Sequence, residues 1–143
     1  MRNISFALTT DQVRNRTKTV TRRIGWATLT PGTLLQPARK CQGLKKGEKI
    51  KPIGGPIRVV SVRRERLDRM EVDAIYGQQE CIAEGFPNLS PVEFVAMFCA
   101  THKIPDTRPF GLPRNRRQPF PMLPCDEVTR IEFEYVNQEA VHG

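Results

Sequence analysis

The sequence predicts an α+β domain, a small β-barrel with flanking short helices, and three observations predict this class. The chain has 143 residues, which is the usual size of one domain with a single core. Hydrophobic residues make up 38% of it, enough for a folded globular chain. Five segments carry strand patterns, and two or three short helical segments lie between them.

The first half of the chain predicts mostly strands. Residues 3–9 place Ile4, Phe6 and Leu8 at every second position, which is typical of a strand with one buried face. Pro31 and Gly32 predict a turn between two later strands. The other elements predicted here are a helical turn at 12–16, extended backbone at 18–23, strands at 33–38 and 57–62, and a basic hairpin region at 43–55.

The second half predicts two helices and a closing strand. Apolar residues at near-helical spacing predict one helix over 67–76. Ser90 as N-cap, Pro91 at the first position and Glu93 in a capping box predict a helix over 91–102. We expect its apolar face, Phe94, Val95 and Phe98, in the core. Strict alternation predicts a strand over 128–136 with Arg130, Glu132 and Glu134 on the face opposite the core.

We expect residues 1–143 to form a single domain. Six of the 12 prolines and four arginines fall within 105–125, so this segment is predicted as a loop insertion, acting as a substrate lid, a basic RNA-gripping arm or a plain surface insertion. Residues 138–143 are predicted as a flexible tail. No apolar run approaches the roughly 20 residues of a membrane span, and no secretory signal opens the sequence. We therefore expect a cytoplasmic protein with no membrane contact.

Charge is distributed unevenly along the chain. Residues 1–70 hold 17 basic and four acidic side chains, whereas residues 71–143 hold six basic and 11 acidic. This asymmetry favours an anionic partner such as RNA, DNA or a nucleotide, although a solvated basic surface has the same composition. The four cysteines lack metal-ligand spacing, so neither a metal nor another cofactor is expected.

Lys18 and Thr21 are the first candidates for chemistry. A lysine with a pKa lowered by burial can take the proton of a nearby hydroxyl and so activate it as a nucleophile. A regular strand would point the two side chains to opposite faces, so the chemistry requires a bend near Thr19. On residue types alone, such a run is more often a basic strand on a sheet surface or a phosphate contact.

Glu84 and Trp26 are further candidates. Glu84 precedes Gly85 and Pro87, which predict a turn that would hold the Glu84 carboxylate outside any helix. The carboxylate could then be a general acid or base, the partner of a buried lysine, or an ordinary surface group. Trp26 could stack on a nucleobase or fill the core.

Several segments in this order resemble an ASCH domain, and more narrowly the ASCH proteins of bacteriophages and prophages. They are the run from Thr17 to Arg23, Pro31-Gly32 before a strand, the strand 57–62, Glu84-Gly85-Phe86 ahead of a capped helix, and the closing strand from Val128. The resemblance implies a PUA-like β-barrel whose cleft suits RNA or a modified nucleoside.

Some bacterial ASCH proteins are amidohydrolases that remove the acetyl group from acetylcytidine. The resemblance implies that Thr21 is the nucleophile, Lys18 its base and Glu84 the acid-base group that assists the leaving amine. This sequence departs from those short enzymes in two segments that they lack, the lysine-rich region before Gly55 and the proline-arginine loop after Ile104.

Two functions are therefore expected from this sequence. The first is a metal-independent amidohydrolase acting on an acylated pyrimidine nucleoside. The alternative is a binding module, or a ribonuclease, that holds RNA or a modified nucleotide in the same cleft. The expected substrate or RNA contacts are Thr19, Arg22, Arg23, Trp26, Lys45 and Lys46, with Lys49 and Lys51 beside them.

Overall fold

The structure, a computed structural model, describes residues 1–104 and 120–137. Its elements in chain order are β1 (Arg2–Ser5), α1 (Thr10–Arg14), β2 (Val20–Arg23), β3 (Leu34–Ala38), β4 (Ile57–Arg66), α2 (Arg69–Val72), α3 (Ala74–Ala83), α4 (Pro91–Thr101), β5 (Lys103–Ile104), β6 (Phe120–Pro121) and β7 (Glu127–Tyr135). The predicted α+β class is confirmed. None of the four helices in these described ranges combines the length and apolar character needed to cross a bilayer.

One five-stranded mixed sheet organises the fold, with strand order β1-β3-β4-β7-β2. β1 runs parallel to β3, and the other three pairings are antiparallel. The long pairing of β4 with β7 is interrupted by a register shift between Val59 and Ser61. β1 and β2 form the two edges of the sheet, with no backbone ladder between them in the described residues. The sheet is therefore not closed by strand pairing.

Two apolar clusters form the core. The first lies on the sheet and includes Phe6, Leu35, Ile57 and Phe133. The second joins the helices to the end of the sheet and consists of Leu67, Met70, Cys81, Phe94, Val95, Phe98, Met122 and Val128. Burying one large apolar side chain stabilises a fold by about 1.5–3 kcal/mol, so these clusters supply much of the driving force for folding.

The helix α4 matches its prediction closely. Ser90 Oγ accepts from the Glu93 amide at 3.2 Å, and the Glu93 carboxylate accepts from the Ser90 amide at 3.0 Å, so the capping box is complete. Phe94, Val95 and Phe98 are buried, as expected from the apolar face.

The single helix predicted over 67–76 is wrong. Asp73 has extended backbone and separates α2 from α3, and its carboxylate caps α3 by accepting from the Tyr76 amide. The helix then continues to Ala83. Gly77 explains why the two helices can lie so close, because a Cβ there would come within 1.9 Å of the Met70 carbonyl oxygen.

The basic region predicted as a hairpin at 43–55 forms no regular strands. An antiparallel bridge between Ala38 and Pro52 closes its base, supported by hydrogen bonds from the Arg39 and Ile53 amides to Lys51 and Pro37 carbonyls. Pro52 has no amide hydrogen to donate to a ladder, which limits strand pairing there.

The predicted loop insertion at 105–125 lies outside the described residues as far as residue 119, and the predicted tail at 138–143 lies outside them entirely. Phe120–Pro121 pairs antiparallel with Lys103–Ile104. Met122 is buried in the second apolar cluster.

Candidate active site

A cavity of about 200 Å³ opens where β2, the residues after β1, and α4 meet. Its polar lining includes Lys18, Thr21, Arg23, Glu84 and His102. Aromatic and methionine side chains from both apolar clusters form an apolar wall. Phe6 comes from the first cluster, and Phe86, Phe94, Met97 and Phe98 come from the second cluster and the side chains packed against it. The cavity thus places a small charged group against an apolar surface.

Lys18 and Thr21 line this one cavity because Lys18 lies outside the strand. The regular strand begins only at Val20. Before it, the Lys18 amide donates to the Gln12 carbonyl oxygen and the Thr19 amide donates to the Ala83 carbonyl oxygen, so these two amides bond to α1 and α3 rather than to the sheet. Both Lys18 and Thr21 are only 3% exposed.

Glu84 is the direct partner of Lys18. Lys18 Nζ donates to Glu84 Oε1 at 2.8 Å and to the Glu84 backbone oxygen at 2.7 Å. Glu84 caps the C-terminus of α3, and Gly85 turns the chain immediately after it with φ of +94°. This conformation is unfavourable for residues with a Cβ, and an added Cβ would also meet the Gln12 side chain at 2.9 Å.

Burial lowers the pKa of Lys18 below its ordinary value, although the charge and hydrogen bond of Glu84 act in the opposite direction. The neighbouring Arg23 and Arg22 cations also lower it. Loss of a proton from this amine is therefore easier than from a solvated lysine.

Arg22 lies in a cluster of buried charges behind the cavity, and its side chain is fully covered. Its guanidinium donates to Glu84 Oε2 at 3.0 Å, and to Glu65 Oε1 and Glu80 Oε1 at 2.6 Å each. Burial alone would disfavour the cation, but the three carboxylates outweigh it and raise the pKa of Arg22. Arg22 is among the residues that line the cavity, but three carboxylates already pair with its guanidinium, so the expected phosphate contact would have to displace one of them.

The same cluster contains Arg130, which the alternation of the last strand placed on the face opposite the core. The structure buries Arg130 to 7% exposure, and both Nε and Nη2 donate to the Glu80 carboxylate. Burial raises the pKa of Glu80, but Arg130 and Arg22 overcome this effect and lower it to about 2. We call Arg22, Glu65, Glu80, Glu84 and Arg130 the ion cluster.

Arg23, next in the sequence, faces the cavity. Its Nε donates to Thr21 Oγ1 at 3.0 Å, and its Nη2 donates to the Ser5 carbonyl oxygen. The guanidinium also lies over the Phe6 ring, 4.8 Å from the centroid. Burial lowers the pKa of Arg23 to about 10, which leaves a desolvated cation in contact with the Thr21 hydroxyl.

Thr21 and Lys18 do not form a hydrogen bond in the described structure. The Thr21 hydroxyl accepts from Arg23, and the Lys18 amine donates to Glu84. The hydroxyl hydrogen of Thr21 remains available as a donor, because the oxygen acts as the acceptor toward Arg23.

His102 is a cavity residue that the sequence analysis missed, since its position at the end of a helix carries no motif. Its ring stacks on Phe98 with centroids 3.8 Å apart and an angle of 7° between the planes. Nδ1 lies 2.9 Å from the Phe98 carbonyl oxygen and 3.0 Å from Thr101 Oγ1. Burial is the main cause that lowers the pKa of His102.

The remaining expected contacts do not line the cavity. Thr19 is exposed and uses its backbone groups to bond Ala83 and Phe133. Trp26 is partly buried, with the Arg2 guanidinium 3.8 Å from its ring centroid. Lys45 and Lys46 are exposed in the basic region. Within the described ranges no three His, Cys, Asp or Glu side chains are grouped to hold a metal ion.

Comparison of the chain with protein-family models, with curated proteins and with solved structures finds no match. The geometry of the site therefore carries the argument for function.

Proposed function

We propose that this chain is an ASCH-type amidohydrolase that removes the acyl group from the exocyclic amine of a pyrimidine nucleoside such as acetylcytidine. One observation carries the proposal: a single small cavity holds the Lys18–Glu84 pair beside Thr21 and Arg23. These side chains supply a base, a hydroxyl nucleophile and a cation for acyl transfer.

The size and lining of the cavity support a substrate of this class. Its volume of about 200 Å³ lies below the roughly 300–1,000 Å³ of sites that enclose drug-sized ligands. A pyrimidine ring with a short acyl group suits such a space, and the ribose would remain at the opening. The aromatic wall offers an apolar surface to the ring and the acyl methyl group.

In the first step, Lys18 takes the hydroxyl proton of Thr21 as Oγ1 bonds to the acyl carbon. The carbonyl π electrons move to oxygen, and the Arg23 guanidinium stabilises the resulting anion. Lys18 reaches the hydroxyl through a water molecule or after a small rotation on substrate binding, since catalytic hydrogen bonds often tighten only in the complex.

In the second step, the carbon–nitrogen bond breaks and the leaving amine takes the proton from the Lys18 ammonium. Glu84, which bonds the same Nζ, assists this transfer. Water then attacks the acyl group on Thr21, gives one proton to Lys18, and expels the Thr21 oxygen, which recovers that proton. The products are cytidine and the free carboxylic acid.

The decisive experiment is release of cytidine from acetylcytidine by wild type, Lys18→Met and Thr21→Val, with Arg58→Gln as a control on the exposed sheet surface. We expect turnover in wild type and the control, and loss of at least about 100-fold in the two site variants. Circular dichroism checks that each variant folds. Folded wild type without turnover would contradict the proposal.

The fold that accompanies this proposal is a PUA-like β-barrel completed by side chains. It is supported by the Arg23–Ser5 hydrogen bond, which connects edge strand β2 to edge strand β1 across the opening of the sheet. Both residues of this bond line the cavity.

A second candidate function is binding of RNA or a modified nucleotide, or its cleavage as a ribonuclease. The observation that favours it is the basic loop, residues 39–51, which carries six exposed Lys and Arg side chains and one acidic residue, Glu48. Binding of this kind weakens steeply with salt because each neutralised phosphate releases counterions. Salt-dependent RNA affinity without acetylcytidine turnover would favour this candidate.

A further inference from the structure

The hydrogen-bonding groups of the cavity are mostly donors or are already occupied. Arg23 can only donate, and Lys18 directs its amine hydrogens to Glu84. Both carboxylate oxygens of Glu84 accept from cations, Oε1 from Lys18 and Oε2 from Arg22. A ligand that presents an N–H group is therefore best matched by an acceptor outside this charged set.

His102 supplies such an acceptor. Its Nδ1 lies at hydrogen-bond distance from the Phe98 carbonyl oxygen, which can only accept, so Nδ1 carries the proton of the neutral ring. The second nitrogen, Nε2, is then an acceptor, and it has no partner among the described residues. The lowered pKa of His102 agrees with a neutral ring at neutral pH.

The ring of His102 is also held in a fixed orientation. Stacking on Phe98 and the hydrogen bond of Nδ1 restrict its rotation, and the residue lines the cavity. A fixed acceptor discriminates between ligands better than a mobile one, because less side-chain freedom is lost on binding.

We propose that His102 is a specificity-determining residue whose Nε2 accepts a hydrogen bond from the exocyclic N–H of the pyrimidine ligand. The inference rests on the proposed function for the choice of ligand. It makes the cavity selective for a base with an amine or a secondary amide at this position. A base that lacks this N–H group forms one hydrogen bond fewer in the cavity.

The test measures binding of two nucleosides by calorimetry at neutral pH. One is cytidine, and the other is its analogue with hydrogen in place of the exocyclic amine. Wild type is compared with His102→Phe, which keeps an aromatic ring but removes the acceptor, and with His102→Gln, which restores an acceptor. Gln78→Ala, on the exposed side of α3, is the control.

We expect wild type and Gln78→Ala to bind cytidine about tenfold more tightly than the analogue, and His102→Phe to bind the two alike. His102→Gln should recover part of the preference. Equal preference in wild type and His102→Phe overturns the inference, as does wild type that binds neither nucleoside or does not distinguish them. Selective binding without turnover of acetylcytidine would overturn the proposed reaction and leave the role of His102 intact.

Discussion

Arg22 and Arg23 are adjacent in the sequence but lie in opposite electrostatic environments. Arg22 donates to three carboxylates and its side chain is fully covered, whereas Arg23 donates to a hydroxyl and a carbonyl oxygen and has no carboxylate within salt-bridge distance in the described structure. The pKa of Arg22 is raised and that of Arg23 is lowered to about 10. The charge of Arg22 is balanced by buried carboxylates, whereas the charge of Arg23 remains available to the cavity.

This difference follows from strand geometry. Successive residues of a strand point to opposite faces, so Arg22 on β2 meets Glu65 of β4 and Glu80 of α3, while Arg23 turns toward Thr21 and β1. Glu84 connects the ion cluster to the cavity, because one of its carboxylate oxygens accepts from Arg22 and the other accepts from Lys18. The ion cluster therefore fixes the position of the Lys18 partner.

The largest effect is expected from Arg22→Met. The change removes the guanidinium that pairs with Glu65, Glu80 and Glu84, while these three carboxylates stay buried. Removing one partner of a buried ion pair lowers the free energy of unfolding by about 3–5 kcal/mol. Urea denaturation at neutral pH should show a loss of that size in the free energy of unfolding. A loss below about 1 kcal/mol would mean that Arg22 does not hold the cluster together.

The next effect concerns Arg23→Met, which should act on turnover rather than on folding. Removal of one group that stabilises a developing oxyanion typically lowers kcat by about 10² to 10³. We expect a reduction of that size in acetylcytidine turnover, with a smaller loss of stability than in Arg22→Met. Arg23→Lys keeps the charge and should recover only part of the rate, since it loses the paired donors to Thr21 and Ser5. Unchanged turnover in Arg23→Met would remove Arg23 from the mechanism.

A smaller effect is expected in the acid stability of the ion cluster. The pKa of Glu80 is about 2 in the folded chain against an ordinary value of 4.5, so its ionised form adds stability above pH 4.5 that is lost as the pH falls toward 2. Glu80→Gln should be less stable than wild type at neutral pH, and the difference should shrink across this range. Urea titrations at several pH values measure it, and a constant difference would contradict the assignment.

The smallest effect is expected from Arg58→Gln. Arg58 and Glu134 form an ion pair at 3.0 Å, but both side chains are about half exposed. Solvent screens such pairs, and their contribution is at most about 1 kcal/mol. Urea denaturation should give a free energy of unfolding within that amount of wild type. A loss equal to that of Arg22→Met would show that burial does not separate the two arginines.

The sequence predicts features that depend on neighbouring residues. The capping box of α4 follows from Ser90 and Glu93, and the closing strand β7 follows from its alternation. The selection of Lys18, Thr21 and Glu84 came from their types and from the resemblance, and the structure brings all three to one cavity.

The sequence does not predict features that depend on distant partners. Arg22 lies 43 positions from Glu65 and 58 from Glu80, so no local pattern connects them. Alternation assigns Arg130 to the face opposite the core, but that face is covered by α3, which the sequence pattern merged with α2 and ended too early. The sequence does not single out His102, because nothing near it shows that the end of α4 borders a cavity whose other walls come from β1, β2 and the segment around Glu84.

The central claim is that Thr21 is the nucleophile of an acyl-transfer reaction. The most direct measurement mixes acetylcytidine with excess protein, stops the reaction with acid, and determines by mass spectrometry whether the peptide that contains Thr21 carries an acetyl group. The account predicts that wild type carries it and that Thr21→Val neither carries it nor releases cytidine. Release of cytidine by folded Thr21→Val at the wild-type rate would contradict the account.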